Sequence, residues 1–337
     1  MAFDVSIIKG KTIYDLVHAN VGECVRIVKE AYLAHGAGHT VNPDSYFLRF
    51  PDKPHSRIIA LPAFLGPESG VAGIKWIGSF PDNIRQGFPR ASAVLVLNDY
   101  ATGYPFAILE SSIISAARTA GSAVLAAEWL NNQERRTPTL GIVGNGLIAR
   151  YVYRFLLATG WSIDHVRLFD TSPAGAQAFA ATIVNADAHR SVEVAADLPS
   201  LLRESSVVVL TTTAGTPHIL DPDLFSHNPI VLHLSLRDLS PDILRGAHNV
   251  VDDVEHVMKA NTSPHLLEQA VGHRRFVTGT LAELVTGRCT VDRSKPAIFS
   301  PFGLGVLDLA VGKWVYDEAV AAGQDLRLTD FFYDMTR

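Results

Sequence analysis

The sequence predicts an α/β protein in which an α+β domain is joined to a domain of alternating strands and helices. Strand-like segments follow one another before residue 110, strands alternate with helices after residue 138, and the polar segment NQERRTP (132–138) separates the two patterns. A chain of 337 residues can bury two large cores. We expect one domain to comprise residues 1–132 and 303–337, and the other to comprise residues 137–300.

The first predicted domain begins with a helix and continues as a set of strands. Apolar residues recur at helical spacing over 12–35, and Gly36 follows at the expected end. Strand-like segments bounded by Pro, Gly and Asp come next, at 45–50, 56–62, 71–78, 92–98 and 105–110. Residues 98–104 predict a hairpin between the last two strands, and the small residues of 110–131 predict a closely packed helix.

The second predicted domain alternates strands with helices. A strand from Leu140 to Val143 precedes a helix at about 147–158, and a strand at 165–170 precedes a helix through the 170s and 180s. Further strands are predicted at 207–213, 230–235 and 249–253. Such near-continuous apolar strands are typical of a parallel sheet that is covered on both faces. The segment 303–323 predicts an amphipathic helix that returns to the first domain.

The composition excludes several classes of protein. A net charge of −5 gives no basic footprint for nucleic acid, and no basic run indicates a membrane surface. Cys24 and Cys289 form no CxxC, and the 13 histidines form no HxH or HExxH, so we predict neither a disulfide scaffold nor a metal site. The N-terminus does not resemble a signal peptide, and no apolar run reaches about 18 residues, so we expect a cytoplasmic protein.

A glycine fingerprint opens the second domain. Gly144-Asn-Gly-Leu-Ile-Ala149 has the form GxGxxA, follows an apolar strand and opens a helix, and Asp170 lies 24 residues after Gly146 at the end of the next strand. Gly144 permits the tight turn, Gly146 permits close approach of a pyrophosphate, and the helix start supplies N–H groups. The pattern therefore predicts a Rossmann domain, and a carboxylate at Asp170 favours NAD over NADP.

The predicted cofactor contacts extend beyond the fingerprint. Three threonines end a later strand of the same sheet, where ligands bind in such folds, although a strand end rich in threonine is an equally good interpretation. The full set of predicted NAD-binding residues is Gly144, Asn145, Gly146, Leu147, Ile148, Asp170, Thr211, Thr212 and Thr213.

Three cations lie between apolar neighbours in the first domain. Lys75 interrupts the strand GIKWIGS, where it either extends its ammonium group into water or has a function. Arg118 lies in the otherwise uncharged stretch 111–127, so either a distant acid or a ligand carboxylate must meet it. Arg49, in SYFLRF, is the third. Together they predict a small acidic substrate, with Lys75 and Arg118 converging on one of its carboxylates.

Long stretches of this chain resemble the ornithine cyclodeaminase/mu-crystallin family. They are GIKWIG, LNDYATGYPFAILESSIISAARTAGSAVLAA, GIVGNGLIA and SPFGLGVLDLAVGKWVY, and the resemblance extends from about residue 10 to 320. It implies that a substrate-binding and dimerisation domain pairs two subunits of a homodimer. By resemblance, Arg49, Lys75 and Arg118 bind the substrate α-carboxylate, and Ser92 is a weaker match to a substrate-binding threonine.

The resemblance also implies a catalytic pair, Asp238 and Lys75. A general base at Asp238 works best if partial burial raises its pKa, although an aspartate before Leu-Ser-Pro could instead cap a helix. Asp308 matches a family position at the start of the last helix, where an active-site role and a helix-dipole role both remain open. We interpret His218 and His233, at predicted strand ends, as structural residues.

Within the family, IKWIGSFPDN, SRIIALP and SPFGLG resemble the branch that makes 2,3-diaminopropionate for siderophores or peptide antibiotics. This resemblance implies NAD-dependent oxidation of N-[(2S)-2-amino-2-carboxyethyl]-L-glutamate, followed by hydrolysis to 2,3-diaminopropionate and 2-oxoglutarate. The alternatives are an ornithine or lysine cyclodeaminase, an imine reductase, and a mu-crystallin-like protein that binds NAD(P)H without turnover.

Overall fold

A computed structural model describes residues 4–66 and 69–332 of the chain. The strands are β1 Val5–Ile8, β2 Thr40–Val41, β3 Tyr46–Phe50, β4 Lys53–Leu65, β5 Val71–Ser79, β6 Ala91–Asp99, β7 Pro105–Glu110, β8 Arg136–Val143, β9 Ser162–Phe169, β10 Ser191–Val194, β11 Val207–Leu210, β12 Ile230–His233, β13 His248–Val251, β14 Val277–Thr280, β15 Ala297–Ser300 and β16 Leu326–Leu328. The α-helices are α1 Gly10–Ala19, α2 Val21–Gly36, α3 Ser112–Leu130, α4 Leu147–Ala158, α5 Pro173–Thr182, α6 Leu198–Glu204, α7 Pro241–Arg245, α8 Val254–Val257, α9 Ser263–Val271, α10 Leu281–Val285 and α11 Gly305–Ala321.

The chain divides into two compact units, of which unit 1 comprises Met1–Arg118 with Leu304–Arg337 and unit 2 comprises Thr119–Gly303. The division falls inside α3, whereas the sequence indicates a boundary at the polar segment 132–138. Hydrogen bonds explain why the two boundaries differ. The first turns of α3 are bonded within unit 1, through Ser115 and Arg118, while Asn131, just after the helix, is bonded to Glu134 and Arg136 in unit 2.

Unit 1 is built on a mainly antiparallel sheet with the strand order β16-β1-β7-β6-β5-β4-β2, and β3 pairs with β4. The helix α11 packs on β4, β5 and β6, and α1 and α2 pack on α11. The packing is close, because a Cβ atom on Gly312 of α11 would lie 2.2 Å from the side chain of the fully buried Leu95. One face of the sheet is therefore a core face, which holds Lys75.

The predicted single helix at 12–35 is wrong, because the structure contains two helices separated at Asn20. This residue has φ −134° and ψ 47°, outside the helical region. Its side-chain amide donates a hydrogen bond to the carbonyl oxygen of Leu16, which offers the backbone a local alternative to the helix. The apolar pattern continues across the break, so periodicity alone does not reveal it.

Unit 2 contains an eight-stranded sheet with the order β10-β9-β8-β11-β12-β15-β13-β14. Every pairing in it is parallel, as the apolar strands predict. Strand order reverses between β8 and β11, which places a topological switch point beside the end of β8. The predicted α/β fold class, with a Rossmann-type parallel sheet beside an α+β unit, is confirmed. The sequence patterns do not predict six short strands, β1, β2, β10, β14, β15 and β16.

Within the described ranges, the helices are all too short or too polar to meet the criteria for a membrane span.

Candidate active-site residues

The glycine fingerprint lies at the switch point of the parallel sheet. Val143 at the end of β8 pairs with Leu210 at the end of β11, so Gly144 and Thr211 follow neighbouring strands. Gly144 has φ +83°, and a Cβ atom there would lie 2.8 Å from the carbonyl oxygen of Thr211. Only glycine fits this turn. A Cβ on Gly146 would meet nothing within 4 Å, so the backbone there is open to an approaching ligand.

The start of α4 is suited to an anion. Gly146 is the N-cap, no side chain caps the helix, and its first turn contains no acidic residue. The first N–H groups of a helix lack partners within the helix, and the helix dipole favours negative charge there. Leu147 and Ile148 therefore contribute backbone N–H groups toward the position where a pyrophosphate would bind. The fit supports a dinucleotide at this turn.

Asp170, immediately after β9, has a fixed carboxylate. Its Oδ2 accepts a hydrogen bond from the N–H of Asn145 at 2.7 Å, and its Oδ1 accepts one from Ser172 at 2.9 Å. A carboxylate has about four acceptor positions, so Asp170 can still accept a ribose hydroxyl. The arginine on the same strand, Arg167, pairs with Glu193 and Glu204.

The three predicted threonines differ in their contacts. β11 ends at Leu210, so all three lie in the loop that follows it rather than in the strand. Thr211 donates to the carbonyl oxygen of Gly144 at 2.6 Å and so stabilises the glycine turn. Thr212 donates to Oδ1 of Asp238. The third, Thr213, is exposed.

Asp238 is a buried carboxylate surrounded by hydrogen-bond donors. It follows β12, the neighbour of β11, and is 0% exposed. Thr212 donates to its Oδ1 and Ser235 donates to its Oδ2. His218 Nε2 lies 3.0 Å from Oδ1, and His233 Nε2 lies 3.3 Å from Oδ2. Two loops of the parallel sheet therefore converge on one carboxylate.

This environment corrects the expectation that the pKa of Asp238 is raised. Burial by itself raises the pKa, but the hydrogen bond and charge of His233, followed by hydrogen bonds from Ser235 and Thr212, lower it below its usual range. Asp238 thus remains ionised at neutral pH. It is a poor acceptor for a proton and a good anchor for a neighbouring cation or donor.

His218 is the exposed member of this group. Its side chain is 38% exposed, while Asp238 is fully buried, so the pair presents an imidazole held by a carboxylate. Backbone bonds fix the same contact, because the N–H groups of His218 and Ile219 both donate to the carbonyl oxygen of Asp238. The segment after β12, which contains Asp238, includes Leu236 at φ +77°, a backbone conformation that non-glycine residues seldom adopt. Such strain is common where a loop positions functional groups.

In unit 1, Lys75 and Arg118 meet at the carboxylate of Asp308. Lys75 Nζ donates to Asp308 Oδ2 at 2.6 Å and to Ser115 Oγ at 3.2 Å. Arg118 Nε donates to Asp308 Oδ1 at 3.3 Å. Ser115 and Arg118 are three residues apart on one face of α3, and Asp308 lies in the first turn of α11. A strand and two helices therefore build this cluster, which we call the Lys75 cluster (Lys75, Ser115, Arg118 and Asp308).

The Lys75 cluster is buried, with side-chain exposures of 3% for Lys75, 0% for Asp308 and 12% for Arg118. Burial lowers the pKa of Lys75 to about 8, Asp308 opposes this change, and the positive charge of Arg118 adds to it. The distant acid that the sequence left open is thus Asp308. Lys75 does not extend its ammonium group into bulk water.

Arg49 and Ser92 are not part of the Lys75 cluster. Arg49 is exposed on β3, opposite Arg57, and its guanidinium lies over the ring of Phe47 at 5.3 Å from the centroid. The expectation that Arg49 is embedded like Lys75 is therefore wrong. Ser92 is exposed and pairs with Gly78, whose position in the strand alternation places it on the sheet face opposite Lys75.

Three members of these clusters were not predicted from the sequence: His218, Ser235 and Ser115, which contacts Lys75 from α3. His218 was interpreted as structural, because nothing near it in the sequence reveals that it contacts a residue 20 positions later. Ser235 could have been found, since it is three residues before Asp238 and short polar side chains often bond to nearby groups. In the part of the chain that the structure describes, no group of three or more His, Cys, Asp or Glu side chains could hold a metal ion.

The chain is similar to several known proteins over most of its length. A Staphylococcus aureus protein, N-((2S)-2-amino-2-carboxyethyl)-L-glutamate dehydrogenase, is 28% identical over 305 residues, which cover 88% of this chain and 89% of that protein. The solved structure of Thermococcus litoralis Delta(1)-pyrroline-2-carboxylate reductase, in complex with NADH and L-proline, has a TM-score of 0.87 at 21% identity and covers 96% of this chain and 99% of that one. An archaeal alanine dehydrogenase dimer with bound NAD has a TM-score of 0.84 at 24% identity and covers 98% of this chain and 100% of that one.

The two solved structures support the fold. Relatives that are named dehydrogenases and reductases also support the prediction of an oxidoreductase. The model of the ornithine cyclodeaminase/mu-crystallin family matches residues 15–323, nearly the whole chain. The chain therefore belongs to the ornithine cyclodeaminase/mu-crystallin family.

Proposed function

We propose that this protein is an NAD-dependent amino acid dehydrogenase that cleaves N-[(2S)-2-amino-2-carboxyethyl]-L-glutamate into 2,3-diaminopropionate and 2-oxoglutarate. The observation that carries the proposal is the convergence of Lys75 and Arg118, from a strand and a helix, on one carboxylate. The similarity to the Staphylococcus aureus dehydrogenase supports the choice of substrate.

The Lys75 cluster is the proposed site for the substrate α-carboxylate. An ammonium group and a guanidinium group that already share Asp308 are preorganised, so little side-chain entropy is lost when a second carboxylate joins them. Arginine offers several N–H donors in a fixed plane, and Arg118 donates to Asp308 from Nε at 3.3 Å. Asp308 acts as a positioning residue that keeps Lys75 close to Arg118.

The cofactor-binding turn is the proposed site of NAD. The N–H groups at the start of α4 would hold the pyrophosphate, and Asp170 would accept a hydrogen bond from a free ribose 2′-hydroxyl. When bound, NAD accepts a hydride from the glutamate α-carbon. The C–N single bond of the substrate then becomes an imine, water adds to its carbon, and the C–N bond breaks to give the two products.

Asp238 and His218 are the proposed catalytic pair for the proton transfers. Oxidation requires the substrate nitrogen as a neutral amine, and hydrolysis requires an activated water, so one group must accept a proton in each step. Because Asp238 stays ionised, we assign it the stabilisation of positive charge and the orientation of the imidazole. His218 accepts the proton, since an imidazole can both take up and release one near neutral pH.

A panel of substrates tests the proposed function. We expect NADH to accumulate when the protein is mixed with NAD and N-[(2S)-2-amino-2-carboxyethyl]-L-glutamate, with equal amounts of 2-oxoglutarate and 2,3-diaminopropionate. Ornithine and lysine are expected to give no product. Ammonia and a cyclic amino acid formed without net NADH would instead identify a cyclodeaminase. NADH consumption with a cyclic imine would identify a reductase, and cofactor binding without any turnover would identify a mu-crystallin-like protein.

We also propose that a second copy of the chain covers the outer face of the sheet in unit 1. Tyr46, Ala60, Trp76 and Val94 are register partners across four strands on the face opposite Lys75. Trp76 is 44% and Tyr46 is 71% exposed, so this apolar row is open in one chain. We expect light scattering to report a homodimer, and Trp76→Glu to shift the protein toward monomer.

The location in the cytoplasm and the role in a siderophore or antibiotic pathway stay predictions.

A further inference from the structure

Three arginines that the proposed reaction does not use lie together at one end of the sheet in unit 1. Arg49 on β3 pairs in register with Arg57 on β4, and Arg57 pairs with Ser79 on β5. Arg90, just before β6, donates from Nη1 to Ser79 Oγ at 2.9 Å. We call Arg49, Arg57 and Arg90 the arginine cluster.

Arg49 and Arg57 share one face of the sheet with Lys75, and Arg90 reaches this face through its hydrogen bond to Ser79. Directly paired residues of neighbouring strands point to the same side, and residues two or four apart on one strand do so as well. Ser79 is four residues after Lys75 on β5, so their Cα atoms are about 13 Å apart along the strand. The helix α11 begins over Leu61, the register partner of Lys75, so it crosses the sheet at the level of Lys75 rather than over the arginines.

Among the described residues, no carboxylate forms an ion pair with Arg49, Arg57 or Arg90. Arg57 and Arg90 are only half-exposed, and burial lowers the pKa of both guanidinium groups. The positive charge of Arg49 adds to this effect at Arg57, and that of Arg57 adds to it at Arg90. Like charges that are partly removed from water and lack an acid are costly, and an anion would relieve the cost.

We infer that Arg57 and Arg90, with Arg49 at their exposed side, bind a second carboxylate of the substrate whose α-carboxylate binds at the Lys75 cluster. This inference rests on the proposed function, because it assumes that the Lys75 cluster takes a carboxylate. The substrates of this protein are then amino acids with two or more carboxylates. Planar guanidinium groups suit such a partner, because each can form two parallel hydrogen bonds to a carboxylate.

A pair of ligands that differ in one carboxylate tests the inference without turnover. 2-Oxoglutarate and pyruvate are both 2-oxo acids, and only the former has a second carboxylate. Calorimetric titration of the protein with bound NADH should show at least tenfold tighter binding of 2-oxoglutarate. Arg57→Gln and Arg90→Gln should each bring the two dissociation constants close together while leaving pyruvate binding unchanged. Arg57→Lys should retain part of the preference, since it keeps the charge and loses the planar fork.

Arg85→Gln is the matched control, because Arg85 is exposed and pairs with Asp82 within the 3-10 helix Pro81–Gln86. It should keep the full preference. Equal binding of the two ligands by the unaltered protein would overturn the inference, and so would a preference that survives both glutamine variants. Failure of the proposed function would be seen separately, as absence of NADH formation from N-[(2S)-2-amino-2-carboxyethyl]-L-glutamate.

Discussion

Lys75 Nζ donates a hydrogen bond to Asp308 Oδ2 over 2.6 Å, although 233 positions separate the two residues in the chain. This contact explains how a lysine is accommodated in an apolar strand. An isolated buried ammonium group would be neutralised or would unfold the strand, whereas a paired one is tolerated. Because Arg118 bonds to the other oxygen of Asp308, the same contact also positions the arginine.

The first prediction concerns the stability of this buried pair. Asp308→Asn leaves Lys75 and Arg118 without their shared carboxylate, so it should lower the free energy of unfolding by about 3–5 kcal/mol. In a Lys75→Met background the loss should be clearly smaller, because one buried charge has been removed. Urea unfolding of the four proteins of this double-mutant cycle measures the coupling.

Lys313 and Asp317 provide the control for this cycle, since they form a surface pair one turn apart on the same helix. Their coupling should be about 0.3–0.5 kcal/mol. A Lys75–Asp308 coupling no larger than that of the control pair would contradict the account.

The second prediction concerns pH. In the folded protein the pKa of Lys75 is lowered to about 8 from 10.5, so between these values the unfolded chain holds a proton that the folded chain has released. Stability rises with pH wherever the unfolded state binds more protons. The free energy of unfolding of the unaltered protein, relative to Lys75→Met, should therefore increase from pH 8 toward pH 10.5 and stay constant below pH 7. A difference that is constant throughout would place the lysine in water.

The third prediction concerns cofactor choice. A carboxylate at Asp170, held by Asn145 and Ser172, repels a 2′-phosphate, so we expect at least a tenfold preference for NAD over NADP, or about 1.4 kcal/mol. Asp170→Ala should remove most of it, whereas Asp187→Ala, at an exposed position of the same unit, should not. The dissociation constants of NAD and NADP, determined for each protein, measure the preference. Equal affinity in the unaltered protein would show that Asp170 does not face the ribose.

The fourth prediction separates the roles of Asp238 and His218. Each of Asp238→Asn and His218→Gln should lower kcat by about a hundredfold to ten-thousandfold, the usual range for general acid–base catalysis. Because the pKa of Asp238 is lowered, its own titration should add no acid limb to the rate profile near neutral pH.

His165→Gln is the control for this pair, since among residues 4–66 and 69–332 its ring bonds only to Ser191, at 2.8 Å, and the change should leave kcat unaltered. If His218→Gln kept normal kcat while Asp238→Asn lost it, Asp238 would act on the substrate without the imidazole.

Local patterns in the sequence were sufficient to predict much of the fold. The glycine turn and Asp170 are encoded within about 30 residues of each other, so their relation could be deduced from spacing alone. The hairpin after β6 was equally predictable, because Asp99 and Gly103 close it through a bond from the Gly103 N–H to the Asp99 carbonyl oxygen. These features depend on backbone conformation, which neighbouring residues determine.

Features that depend on tertiary contacts were not predictable in the same way. Burial and the absence of nearby acids showed that Arg118 needs an anion, but only the folded chain identifies Asp308. The lowered pKa of Asp238 depends on Thr212 and His233, which come from different loops and strands. Arg57 could not be recognised as a binding residue from the sequence, because a single arginine before an apolar run is typical of an ordinary surface position. Only the strand register shows that it lies beside Arg49.

Transfer of deuterium tests the proposed reaction most directly. N-[(2S)-2-amino-2-carboxyethyl]-L-glutamate labelled at the glutamate α-carbon is mixed with NAD and the protein, and mass spectrometry follows the label. The account predicts that the label appears in the reduced nicotinamide, in equal amount to 2-oxoglutarate, and that 2,3-diaminopropionate carries none. Label that remains in an amino-acid product, without accumulation of reduced cofactor, would contradict it.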